Sequence, residues 1–342
     1  MSSFNRISKK RTAILAAAVA GLGLFAGSAQ ATEYTWDLAG NGNWSTATNW
    51  SLDLGHPGDG LGTDDVAIFG NYGGAGRTVT LDVSPVLAGI TFNGSNSAGS
   101  GNNDDITIST GTGQTIQLGD TGDFTLTLDA NTANGGNLFV NTGVTFGGSL
   151  TNLNLVLDGA AGSSVELNRV TGTVSANIVA TGAGGGAGYV RNTGLAATTT
   201  YNGTIGNSGT GLLIVGSEGA DGRGVTIAGD VSNTSTGTTW LRGRGVSNSK
   251  KGLFINADLS STGGGTLRVG DASDDDAGLD FGGAANDVNL TVGGTNSKLL
   301  LRQRGANITL STANIDSITV GTGGEFGTDS DSSDTTLDMD VI

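Results

Sequence analysis

One pattern constrains this chain more than any other. From Thr78 onward, short runs of alternating apolar and polar residues are each closed by Gly, Asn, Asp or Ser. Alternation with period 2 places every apolar side chain of a run on one face of a β-strand, and the closing residues are those that turns require. Val79, Leu81 and Val83 alternate with Thr78, Thr80 and Asp82, and Phe124, Leu126 and Leu128 with Thr125, Thr127 and Asp129. Ile106 with Ile108, Leu153 with Leu155 and Leu157, Val225 with Ile227, Leu267 with Val269 and Leu299 with Leu301 continue the series. Units recur about every 8 to 14 residues, the length of a short strand and a turn. No stretch beyond residue 31 sustains an i, i+3, i+4, i+7 apolar stripe, so helix is expected to be nearly absent.

Two architectures share this pattern, a sandwich or barrel and a solenoid of stacked coils. Roughly twenty strands in a sandwich would need two or more domains joined by visible linkers, and every unit here resembles its neighbours instead. The expected fold is therefore all-β, a right-handed parallel β-helix (β-solenoid) of about 20 to 30 residues per coil. The 62 glycines show no G-X-Y period and there are only 2 prolines, which excludes collagen. With no cysteine, stability has to come from buried area and backbone pairing.

Residues 32–77 differ from the rest. They hold Trp36, Trp44 and Trp50, three of the four tryptophans, together with Tyr34, Tyr72 and the only histidine, His56. A solenoid's first coil has an open core to cover, so bulky aromatics there are expected to form an N-terminal cap ahead of the repeat region, 78–342. Stacking of carbohydrate on the same tryptophans is the competing function. The segment also carries a family resemblance, through W-D-L-A-G-N-G-N-W-S-T-A-T-N-W from Trp36 to Trp50, D-D-V-A-I-F-G from Asp64 to Gly70, T-V-T-L-D-V from Thr78 and L-A-G-I-T-F from Leu87. It resembles the start of bacterial extracellular proteins with autotransporter-associated β-strand repeats. The resemblance implies a secreted or surface-displayed β-helix of the passenger type, with adhesive or matrix roles. The final residues, T-T-L-D-M-D-V-I, lack the alternating strands and aromatic girdles of a membrane barrel.

Residues 1–31 read as a signal peptide. Lys9, Lys10 and Arg11 precede an apolar run from Ala13 to Phe25, and Ala29-Gln30-Ala31 supplies a small-residue cleavage site. The run is short of the ~20 residues that cross a bilayer as a helix, so no membrane insertion of the mature chain is expected. Removal of Arg6, Lys9, Lys10 and Arg11 leaves 12 basic against 31 acidic residues, a net charge of −19. Such a surface repels nucleic acid and anionic lipid. The expected partners are instead a surface glycan, a matrix polymer or protein, or copies of the same chain, outside a bacterial cell.

Candidate chemistry is sparse. Asp271, Asp274, Asp275 and Asp276 form one acidic cluster, and Asp329, Asp331 and Asp334 a second beside Glu325. Turns dense in carboxylates supply the oxygen ligands that Ca²⁺ takes, at most weakly here, because neither cluster follows an ordered calcium-binding repeat. Beyond this possible Ca²⁺, no cofactor is expected. Arg242, Arg244, Arg302 and Arg304 are the residues an enzyme of the polysaccharide lyase or hydrolase kind would use beside Asp side chains, a reading that rests on fold-level analogy. His56, in Gly55-His56-Pro57, has no accompanying nucleophile motif, and one histidine without cysteine furnishes no zinc site. The expected function is a non-enzymatic structural or adhesive module, with a carbohydrate-binding or carbohydrate-cleaving β-helix as the alternative.

Overall fold

A computed structural model of the chain describes residues 32–59, 64–70, 76–94, 105–110, 113–119, 122–129, 132, 136–193, 197–218, 224–243, 252–270, 279–281, 288–302, 308–310, 315–328 and 337–339. The signal segment and both aspartate clusters, Asp271, Asp274, Asp275 and Asp276 and Asp329, Asp331 and Asp334, lie outside the described residues, as do Arg244 and Arg304.

Among the described residues the regular elements are strands, apart from one 3₁₀ turn at Ala47–Asn49. The strands stack into long parallel sheets. Sheet I has eleven strands, from Glu33–Thr35 to Ile315–Val320, and sheet II eleven, from Gly42–Asn43 to Glu325–Thr328. A third face comes in two pieces, three strands ending at Gly143–Phe146 and five from Gly172–Val174 to Leu279–Phe281, joined by a bridge between Val144 and Val170. The chain visits the faces in rotation: Gly172–Val174 on the third, Asn177–Thr181 on sheet I, Ala187–Asn192 on sheet II, then back to the third with Thr199–Tyr201. This is the right-handed β-solenoid that the alternating pattern predicts.

Register is fixed by stacked aliphatics. On sheet I, Ile178, Ile205, Val231, Leu259, Leu290 and Ile318 pair in sequence, at steps of 27, 26, 28, 31 and 28 residues. Slipping any rung by one residue would turn its apolar set outward. Coil length is less uniform than the expected 20 to 30. The pairs Ala67 with Ile90 and Ile90 with Leu126 imply steps of 23 and 36. The extra residues of the long step fall between Phe92 and Ile106, at the corner from sheet I to sheet II, where added length leaves the stacked strands undisturbed.

Corners are held by buried amides. Asn207 donates from Nδ2 to the carbonyl of Thr238 on the next rung and accepts from the Gly209 N–H in its own turn. Asn233 repeats the arrangement one coil later, donating to the Thr266 and Gly237 carbonyls. Each amide therefore satisfies a bent backbone and ties two coils together, which is why a polar residue survives inside an apolar interior.

At the N-terminal end of both long sheets the interior is filled by tryptophan. Trp36, Trp44 and Trp50 are 1%, 0% and 0% exposed and belong to the same apolar core as the aliphatic ladders. Their rings meet edge to face, 5.1 Å between Trp36 and Trp50 and 5.0 Å between Trp44 and Trp50, with Phe69 beside all three. Two of the three polar edges have carbonyl partners: Trp50 Nε1 donates to the Trp44 carbonyl at 2.7 Å and Trp44 Nε1 to the Pro57 carbonyl at 2.9 Å. The cluster is pinned to the following coil by Asp82, whose carboxylate accepts from the Ser45 N–H at 2.9 Å and the Ser45 hydroxyl at 2.6 Å.

Candidate binding face

Strand alternation decides what each sheet shows to solvent. On sheet I the outward register row runs Thr125, Asn154, Val179, Gly206, Ser232, Ser260 and Thr291. Its members are small and uncharged. On sheet II the corresponding row runs Phe139, Glu166, Tyr189, Ile214, Trp240, Arg268 and Leu300, bulky, aromatic or charged over these seven rungs, between Thr107 and Gly327 on the flanking ones. Ile214 lies in this outer row yet is only 3% exposed, set between Tyr189 and Trp240 on the flanking rungs.

Beside that row runs an ion network crossing several coils. Arg191 donates from Nη2 to Glu166 Oε2 at 2.6 Å and from Nε to Asn168 Oδ1 at 2.8 Å, and Nη1 is paired with Glu218. Glu218 also reaches Arg242 Nη1, at 3.3 Å. Each of these pairs joins different coils, so a long side chain on one rung grips the next. Tyr189 lies under the Arg191 guanidinium, 4.3 Å from its ring centroid. Burial, and then the neighbouring Glu166 carboxylate, push the Tyr189 phenol above its ordinary pKa, so it stays neutral and keeps its proton.

Three further guanidinium groups converge on Trp240. Arg242, Arg268 and Arg302 lie 4.4, 5.2 and 5.4 Å from its ring centroid, and its Nε1 donates to the Gly270 carbonyl at 2.6 Å. Glycine makes this crowding possible. Gly216 and Gly270, in the same exterior row as Arg191, Arg242 and Arg302, have φ of 138° and 104°. A Cβ on Gly216 would stand 1.8 Å from the Arg242 carbonyl oxygen, and one on Gly270 1.9 Å from that of Arg302. Only glycine permits those backbone approaches.

Two adjoining cavities of about 330 Å³ each open along this face and share Gly185 and Leu212. One is walled by Trp240 and Arg268 over Thr210, Thr236 and Thr238; the other by Phe139, Tyr189 and Glu166 over Ser163 and Ser164. Each combines aromatic surface, hydroxyl groups and one charged side chain, the lining that orients a small polar ligand.

Charge is segregated to match. Residues 169–304 hold 11 basic and 10 acidic residues, whereas residues 32–168 hold 1 basic and 14 acidic. This imbalance, and the isolation of Trp240 from the other three tryptophans, were the available sequence signals for this face. Of the arginines singled out in the sequence, Arg242 and Arg302 come together at Trp240. The stacking alternative for Trp36, Trp44 and Trp50 finds no ring face open to solvent, because the three pack on one another. His56 sits in a turn, its carbonyl accepting from the Asp59 N–H, and Glu325 pairs with Lys298 at 2.6 Å. Among the described residues no three His, Cys, Asp or Glu side chains are placed to hold a metal ion, and no helix is long and apolar enough to cross a membrane. Comparison with family models, curated proteins and solved structures finds no match to this chain.

Proposed function

We propose that this protein is a non-enzymatic extracellular or cell-surface β-solenoid, a rigid scaffold that presents one chemically distinct face for adhesion. The supporting observation is the contrast between its two long sheets. Both are anchored by continuous interior ladders, but only sheet II carries an organised row of aromatic and charged side chains. A rod with one such face suits attachment along its length, and the basic, apolar and A-x-A segments within residues 1–31 suit export. The resemblance of the Trp36–Trp50 block to extracellular β-repeat proteins points the same way.

Expression of the full chain in a bacterial host, followed by fractionation and N-terminal sequencing, tests export: the account expects protein outside the cytoplasm beginning at Thr32. Retention in the cytoplasm with Met1 intact would contradict it. The non-enzymatic part is tested by a screen of acidic and neutral polysaccharides for released reducing ends or unsaturated products. Turnover abolished by a single Asp→Asn or Arg→Gln change would make the protein an enzyme.

A further inference from the structure

We propose that the two adjoining cavities on sheet II bind a linear glycan bearing carboxylate groups, laid across the rungs along the solenoid axis, with one carboxylate held by Arg268. The proposal deepens the adhesive reading and rests on it, naming the ligand class and the site.

Three features carry it. First, Arg268 lines the cavity while its guanidinium lies 5.2 Å from the Trp240 ring centroid. A guanidinium held against an indole loses less freedom on binding, and its planar fork matches a carboxylate. Second, the lining supplies what a sugar ring needs beyond its charge. Trp240 and Tyr189 offer apolar wall, and Thr210, Thr236 and Thr238 offer hydroxyls. Tyr189 and Trp240 lie two rungs apart, about 10 Å at the usual spacing of parallel strands. A linked pyranose advances a glycan by about one strand spacing, so a repeating polymer and a repeating scaffold stay in step over several rungs. Third, charge complementarity selects an acidic ligand, and confines it. The convergence of Arg242, Arg268 and Arg302 on one ring stands in a chain of net charge −15, so a polyanion is repelled elsewhere and admitted at this face. Glu166 in the second cavity is paired with Arg191 at 2.6 Å, so its charge is compensated and does not exclude an acidic unit there.

The test is affinity electrophoresis of the full chain in native gels containing polygalacturonate, neutral hydroxyethylcellulose, or polyacrylate as a polyanion without sugar rings. The expected result is retardation by polygalacturonate well above that by the other two, weakened at least fivefold in Arg268→Gln and in Trp240→Ala. Arg268→Gln changes a side chain on the outside of the sheet, so it carries the test if Trp240→Ala fails to fold; unchanged circular dichroism establishes that a variant is folded, and retardation is read relative to each variant's own mobility in a polymer-free gel, because Arg268→Gln alters the net charge. Absence of retardation overturns the proposal, as does equal retardation by polyacrylate, which would reduce the face to ion pairing. Equal retardation by the neutral polymer overturns the role of the carboxylate. Retardation by polygalacturonate that Arg268→Gln leaves intact overturns the site. Any of these leaves export and the absence of turnover untouched, so failure here is distinguishable from failure of the scaffold reading.

Discussion

The four tryptophans occupy two regions that share little beyond the residue type. Trp36, Trp44 and Trp50 lie inside the first coils, pack edge to face and have almost no contact with water. Trp240 stands half-buried on the outside of sheet II, ringed by arginines. The first region uses aromatic bulk to fill volume. The second uses an aromatic surface to organise charge. The difference teaches that aromatic density along a sequence marks where a solenoid needs filling, and an aromatic isolated on an outward strand position marks where its surface has been specialised.

The contrast breaks most sharply on truncation. Trp50→Ala should cost about 3–5 kcal/mol, because it removes a fully buried ring together with its hydrogen bond to the Trp44 carbonyl. Trp240→Ala should cost less, about 2 kcal/mol, for a few partly exposed cation–π contacts and the hydrogen bond to the Gly270 carbonyl. Equal losses in urea denaturation would mean that the two regions do the same work.

Gly216→Ala probes the backbone under the arginine row. With φ of 138° and the Arg242 carbonyl 1.8 Å from the new methyl, it should destabilise by roughly 2–3 kcal/mol, against a few tenths for an alanine at Gly206, where the nearest atom is 3.7 Å from a Cβ and no positive φ is required. Urea melts of both variants make the comparison.

Glu218→Gln removes the carboxylate shared by Arg191 and Arg242 and should cost about 1–2 kcal/mol, a value kept small because Glu166 and Asn168 still hold Arg191. If the network serves only the surface, the loss should fall further in high salt.

Asp82→Asn is the smallest effect, about 1 kcal/mol for weakening two charge-assisted hydrogen bonds. Burial raises the Asp82 pKa, but the bonds from the Ser45 hydroxyl and N–H outweigh it and hold the group below the ordinary value. Its stabilisation should therefore be present above the usual aspartate pKa near ~3.9 and be lost as pH falls through the lower folded value. Stability curves of wild type and Asp82→Asn should converge below that range; curves separated by a constant gap at every pH would remove the charge from the explanation.

Much of the interior was legible in the sequence, and much of the exterior was not. Alternation at Val79-Thr80-Leu81 or Leu267-Arg268-Val269 announces a strand and names its inward side, because burial selects apolar residues wherever the pleat points in. Coil length was less readable, since corner insertions such as that between Phe92 and Ile106 are nearly silent in stability. The binding face was missed because its members come from coils 23 to 28 residues apart, Glu166, Tyr189, Ile214, Trp240 and Arg268, and become neighbours only once the register is known. Arg242 and Arg302 drew notice as residues that a polysaccharide-cleaving enzyme would use, but nothing local tied them to Trp240.

Quenching of intrinsic tryptophan fluorescence tests the division most directly. Iodide and caesium are compared on the native chain and on Trp240→Phe. Iodide should quench a minor component of the emission more strongly than caesium, although the protein is acidic, because the reachable ring is surrounded by guanidinium groups; the Trp240→Phe variant should lose that component and leave emission that neither ion reaches. Substantial quenching that survives in Trp240→Phe, or stronger quenching by caesium in the wild type, would contradict the account.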